Sequence, residues 1–162
     1  MNKQEVYSYI KNRNIFYEIT EHEPIFNMED AAKLVVPYPD SEAKNIFLRD
    51  DKKKNYYLIT IKGNKKVDLK LFKEKYNTRR LSFASDGDLM DILNLTPGAV
   101  TPLGLLNDDD RKVIFYLDKD FLDGNGIIGV HPNQNDAALW LRVKDLIDII
   151  KEHGNDVYYA DI

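Results

Sequence analysis

Apolar and polar positions change period repeatedly along the chain, and each change marks an element. Val6, Tyr9, Ile10 and Arg13 share one helical stripe, which predicts an amphipathic helix from about Asn2 to Asn12. Ile15 to Thr20 is rich in β-branched and aromatic residues and reads as a strand. Glu21-His22-Glu23-Pro24 ends it, because proline has no N–H to give to a ladder. Asn27 as N-cap, with Glu29 and Asp30 in the first turn, predicts a helix through Ala31, Ala32, Leu34 and Val35 that Pro37 and Pro39 terminate. Lys44 to Arg49 and Asn55 to Lys62 are strand-like runs, and the polar Asp50-Asp51-Lys52-Lys53-Lys54 between them makes a hairpin.

In the second half Asp68 can cap a helix carrying Leu69, Phe72 and Tyr76 on one face. Arg80 to Ala84 returns as a strand, and a second capped helix is expected over Asp88 to Asn94. Val113 to Leu117 is the clearest buried strand; Asp123-Gly124-Asn125-Gly126 turns the chain into Ile127 to Val130, Ala137 to Arg142 follows, and Asp145 to Glu152 is the closing helix. Strands and helices alternate without a regular βαβ rhythm, and hairpin signals are frequent. The expected class is therefore mixed α/β of the α+β kind, with a mixed, mostly antiparallel sheet and helices packed on it in a single domain over residues 1–162.

Composition narrows the chemistry. With 162 residues, 43% hydrophobic and 31% charged, the chain suits one domain with a sizeable core. The absence of a long apolar run or signal-like start leads to the expectation of a soluble, cytoplasmic protein. Cysteine is absent, which removes disulfides, thiolate nucleophiles and cysteine-ligated zinc. No P-loop, GxGxxG, HExxH or GxSxG pattern is present, so no metal or cofactor is expected. Net charge is −4, yet residues 44 to 80 hold 13 of the 23 Lys and Arg against four carboxylates; this local balance of +9 leaves −13 for the remainder. One basic side could meet a polyanion, or these lysines could simply solvate helices and turns.

Four stretches stand out as candidate chemistry. Gly98-Ala99-Val100-Thr101-Pro102 is steered into one tight path by a glycine and a proline, and its amides could clamp a carbonyl or oxyanion, although the same residues also punctuate ordinary loops. Lys44 and Asn45 sit side by side on a strand, so they face opposite ways and one must meet solvent or a ligand. His131, before Pro132 and Asn133, ends a strand and can act as a neutral donor or acceptor, or merely cap the strand. His22, ahead of Pro24, is the fourth.

Taken in order, Lys44-Asn45-Ile46-Phe47-Leu48-Arg49-Asp50, Leu81-Ser82-Phe83-Ala84-Ser85, Pro97-Gly98-Ala99-Val100-Thr101-Pro102-Leu103-Gly104-Leu105 and His131-Pro132-Asn133 with Asn135 closely resemble the YbaK and prolyl-tRNA synthetase-associated editing domains, in particular the free-standing ProX type. The likeness runs from about Thr20 to the last helix. It implies one aminoacyl-tRNA editing domain over residues 1–162, a deacylase that frees alanine wrongly attached to proline tRNA. It puts a phosphate-binding role on Lys44 and a clamp around the aminoacyl group on Gly98, Ala99, Val100, Thr101 and Pro102. It also puts Asn45, His131 and Asn135 in the pocket, with Lys44, Gly98 and His131 as the catalytic set. Lys52, Lys53 and Lys54 of the basic segment are then candidates for contact with the tRNA, and prolyl-tRNA synthetase is a further candidate partner. Gln134-Asn135-Asp136-Ala137-Ala138 departs from the threonine-rich stretch frequent in the family, which bears on amino-acid choice.

The residues suit such chemistry. An aminoacyl ester is already activated, so a positioned water, loop amides and a substrate hydroxyl suffice without a covalent nucleophile. Alanine is smaller than proline, so a small pocket can refuse the correct amino acid by size. Two alternatives stay open on the sequence: a deacylase for another residue, such as cysteine on proline tRNA, and a non-catalytic module that senses aminoacyl-tRNA or an amino acid.

Overall fold

Helix α1, Lys3–Asn12, starts at a capping box in which Asn2 Oδ1 accepts from the Glu5 N–H at 2.9 Å and Glu5 Oε1 accepts from the Asn2 N–H at 3.1 Å. Its Val6 and Ile10 are wholly buried. The structure, a computed structural model, describes residues 1–24, 29–30 and 33–162; Asn27, Ala31 and Ala32 of the helix expected there lie outside the described residues.

The strands are β1 Tyr17–Glu21, β2 Ala43–Asp50, β3 Tyr56–Lys62, β4 Leu81–Phe83, β5 Val113–Asp118, β6 Ile127–Val130, β7 Ala137–Arg142 and β8 Val157–Ala160. They form two sheets, a three-stranded one in the order β1-β7-β6 and a five-stranded one in the order β4-β2-β3-β5-β8. Among the described residues β1–β7, β2–β3, β2–β4 and β6–β7 pair antiparallel, and β3–β5 and β5–β8 parallel. The mixed, mostly antiparallel α+β architecture expected from the sequence is present, its strands divided between two sheets.

Helices α2 Leu69–Tyr76, α3 Asp86–Leu93 and α4 Val143–His153 complete the frame. Asp68 caps α2 as expected, its side chain accepting from the Lys70 and Leu71 N–H groups. The cap of α3 is Ser85, whose Oγ accepts from the Asp88 N–H at 3.0 Å, so this helix begins two residues before the predicted Asp88. The chain does not close on α4: Gly154, at φ 109°, ends that helix and lets β8 run parallel beside β5.

Strand β3 is buried on both faces. Tyr56 and Leu58 point into a core between the sheets with Phe47, Phe115, Ile128 and Leu139, which α1, α3 and α4 cover. Tyr57, Ile59 and Ile61 point the other way onto Phe72 of α2 and Tyr116. That double burial explains the near-continuous apolar run at the sheet's centre. At the far end of the β2–β3 hairpin the wholly buried Asp50 organises the turn, accepting from the Lys52 and Lys54 N–H groups and from Asn55 Nδ2. Burial opposes its charge, but these hydrogen bonds win and hold its carboxyl below the usual range. No helix among the described residues is long and apolar enough to cross a membrane.

Candidate active site

The two sheets meet just before β2. Glu42, in extended conformation, forms an isolated parallel bridge with Gly129 of β6, and its carbonyl accepts from the Gly63 N–H at 2.9 Å. A cavity of about 430 Å³ opens at this seam. Glu42, Ala43, Lys44 and Asn45 line one side of it, Gly63 follows β3, and Pro97, Gly98 and Val100 come from a short 3-10 turn and its exit. Gly129, Val130, His131, Ala138 and Trp140 come from the β6–β7 hairpin, and His22 and Leu34 complete the lining.

Lys44 and Asn45 both reach this cavity although they alternate on β2. The reason is edge exposure: β4 pairs only with Leu48, Arg49 and Asp50, so the first half of β2 is not covered by that neighbour. Lys44 is exposed, and its side chain makes no ion pair or hydrogen bond among the described residues. Asn45 Oδ1 accepts from the hydroxyl of the wholly buried Thr60 at 2.5 Å, an arrangement that leaves its Nδ2 donors for the cavity.

His131 Nδ1 lies 3.1 Å from the Ala137 carbonyl. A carbonyl only accepts, so Nδ1 carries the proton and the neutral ring keeps a lone pair on Nε2. Burial pushes the ring's pKa below its ordinary 6.5, which outweighs the raising effect of the Ala137 hydrogen bond; His22 adds to the depression and Asp136 opposes it. Trp140 is wholly buried, with Nε1 donating to Thr20 Oγ1 at 3.0 Å and its ring 5.5 Å from that of Tyr38. It lies over Gly129, its partner across the β6–β7 ladder, where any Cβ would overlap the indole and fall within 2.6 Å of Cε3. The close approach of backbone and ring is what requires glycine at this position.

The family profile described as the aminoacyl-tRNA editing domain matches residues 22–149, a span that contains every residue lining the cavity. The chain belongs to this family. Among its relatives, the prolyl-tRNA editing protein ProX of Acetoanaerobium sticklandii is 39% identical over 153 residues, covering 94% of this chain and 93% of that protein. The prolyl-tRNA synthetase associated domain-containing protein 1 of Mus musculus is 32% identical over 86% of this chain and 83% of its own. A crystal structure described as a candidate trans-editing enzyme for prolyl tRNA synthetase superposes with a TM-score of 0.72 at 20% identity, covering 98% of this chain and 94% of that one, and so shares the fold.

Within this editing domain Lys44, Asn45, Gly98, Val100 and His131 of the expected set converge on the one cavity. The others are placed differently. Ala99 is buried, and its N–H is taken by the Thr96 carbonyl at 3.0 Å. Thr101 is wholly buried, donating to the His131 carbonyl at 2.7 Å and accepting from the Leu103 N–H at 3.4 Å, so its hydroxyl pins the glycine–proline segment to the His131 stretch. Pro102 is buried at the start of a 3-10 helix, Pro102–Asn107. Asn135 packs against Gly98, where an added Cβ would come 3.2 Å from its Nδ2. Lys52, Lys53 and Lys54 lie in the far turn of the hairpin, about 25 Å from Lys44 at the strand rise of ~3.3 Å per residue.

The sequence reading missed Glu42, Gly63, Gly129 and Trp140 as parts of this site. Glu42 has its carboxyl raised above the usual range by desolvation, against the lowering effect of His22. The tryptophan was visible only as one residue of a strand. That it closes the cavity depends on the bare backbone of Gly129 across the ladder, a pairing that no local pattern announces.

Proposed function

We propose that this chain, taken as one editing domain over residues 1–162, is a trans-editing deacylase that hydrolyses mischarged tRNA, with alanine on proline tRNA as its principal substrate. The reading is carried by the convergence of Lys44, Asn45, Gly98 and His131 on one cavity in a member of the editing family that is 39% identical to a prolyl-tRNA editing protein. Lys44 takes a phosphate oxygen of the terminal nucleotide as a point charge. Asn45 Nδ2 donates to the substrate, and the N–H of Gly98, which has no acceptor among the described residues, faces the ester carbonyl oxygen as it gains charge. His131 Nε2 accepts a proton from water or from the neighbouring ribose hydroxyl. Water adds to the ester carbon, the bond to the ribose oxygen breaks, that oxygen takes a proton, and the amino acid leaves as carboxylate.

Ala99, Thr101 and Pro102 serve by holding the segment that carries Gly98 and Val100, and Asn135 by backing Gly98. The turn lysines meet the tRNA beyond its acceptor end. A transient contact with prolyl-tRNA synthetase, in the cytoplasm where tRNA is charged, belongs to the same proposal. The test is a deacylation panel of alanyl, cysteinyl and prolyl esters of one proline tRNA. Release of alanine in preference to the others is expected. Preference for cysteine would move the substrate assignment, and binding without turnover would replace the deacylase by a sensor.

A further inference from the structure

An aminoacyl ester brings two charges to its site, the phosphates of the nucleotide and the α-ammonium of the amino acid. Lys44 answers the first. Among the described residues lining the cavity, Glu42 is the one carboxylate that answers the second. Resting on the deacylase reading, we infer that Glu42 binds the α-ammonium of the aminoacyl group and so fixes which way the ester lies in the cavity.

Geometry supports the assignment. The Glu42 backbone is held from both sides, by the Gly63 N–H on its carbonyl at 2.9 Å and by the bridge to Gly129. A side chain at either glycine would press on this clamp: a Cβ on Gly63 would stand 3.2 Å from the Glu42 carbonyl oxygen, and one on Gly129 would strike Trp140. The carboxylate therefore projects from a rigid point at the seam of the sheets. In extended chain, residues two apart point the same way with Cα atoms about 6.6 Å from each other, so Glu42 and Lys44 flank the same stretch of cavity. An ester bound phosphate-to-lysine has its ammonium on the glutamate side. The reverse pose sets like charges together at both ends and is refused.

Among the described residues no side chain pairs with Glu42, which makes no side-chain hydrogen bond or ion pair. The cations of the adjoining hollow are committed elsewhere: Lys62 Nζ donates to the Asp40 carbonyl at 3.0 Å, and Lys65 Nζ pairs with Asp118 at 3.0 Å. His22 is the near group that favours its charge. Glu42 is exposed, and the partial desolvation of its carboxyl raises its pKa above the usual range, so an incoming ammonium would favour its charged form.

The inference is tested with two esters of the same proline tRNA, alanyl and lactyl, the second carrying a hydroxyl in place of the ammonium. The kcat/KM for each is measured for the wild type and for Glu42→Gln and divided by the ester's rate in buffer. Glu42→Gln should lose about 10- to 100-fold on the alanyl ester and less than roughly twofold on the lactyl ester, since the lost contact exists only with the ammonium. Equal losses on both esters would make Glu42 a structural residue and overturn the inference. So would an undiminished rate on the alanyl ester. A wild type inactive on both would remove the deacylase reading and the inference with it, whereas with an active wild type the ratio of the variant's two losses decides the role of Glu42 alone.

Discussion

Lys44 is an ammonium group at the rim of a cavity, its side chain without a hydrogen-bond or ion-pair partner among the described residues, and a cation so placed is available to a phosphate. Lys44→Ala removes a charge-assisted contact of roughly 1.5–3 kcal/mol, so deacylation should fall by about one to two orders of magnitude while the melting temperature hardly changes. Lys44→Arg should rescue only partly, because the flat guanidinium does not replace a compact point charge in a confined site. A wild-type rate in Lys44→Ala at subsaturating substrate would withdraw the phosphate role. On the proposed mechanism His131 is the group that sets the acid side of the reaction. Its folded pKa lies below 6.5, so the unfolded chain binds this proton first as pH falls. Stability tied to His131 is thus intact above 6.5 and is lost as pH drops from there through the lower folded value. Activity should follow the same limb, flat at neutral pH and falling in acid as Nε2 is protonated. A rate that rose on acidification would exclude the base role.

At the scale of elements, the cavity depends on the β6–β7 ladder. Gly129→Ala forces the ring of Trp140 to move and should cost roughly 1–3 kcal/mol of overpacking, with loss of the Thr20 hydrogen bond. Trp140 is the chain's single tryptophan, so its emission should shift red in the variant as melting temperature and activity fall. Unchanged emission and stability would show that the ring is not seated as described. The elements themselves were largely readable, because β2, β3, β5 and the cap at Asp68 carry local signals of period and chemistry. Strand β8 was not: Val157, Tyr158 and Tyr159 stay partly exposed and only Ala160 is buried, so no alternation marks it. Helix α3 was placed late because Asp88 resembles a cap, while the side chain that takes the amide is Ser85. Of the site, Lys44, Asn45, Gly98 and His131 were legible as residues out of place for pure structure and through family likeness. Thr101 was expected at the substrate, and the structure ties its hydroxyl to the His131 carbonyl; a buried hydroxyl joining two segments looks the same in sequence as one facing a ligand. Glu42 went unseen because its surroundings, Gly63 and Gly129, are distant along the chain and meet it only where two sheets join.

For the whole molecule, charge is segregated, with +9 over residues 44 to 80 in a chain of net −4. Lys44 and the turn lysines stand at opposite ends of the β2–β3 hairpin; on the proposed function, a tRNA with its acceptor end in the cavity would meet the turn lysines as a second contact. Replacing Lys52, Lys53 and Lys54 with glutamate should raise KM and flatten its salt dependence while kcat stays nearly constant, since these contacts hold the tRNA without touching the ester. An unchanged KM would return them to the role of a solvated turn. The most direct test of the account offers the purified protein alanyl and prolyl esters of the same proline tRNA, differently labelled, in one low-salt reaction and follows release of each amino acid. The account predicts rapid loss of alanine with proline released no faster than in buffer. Release of neither above the buffer rate, or of both at equal rates, would contradict it.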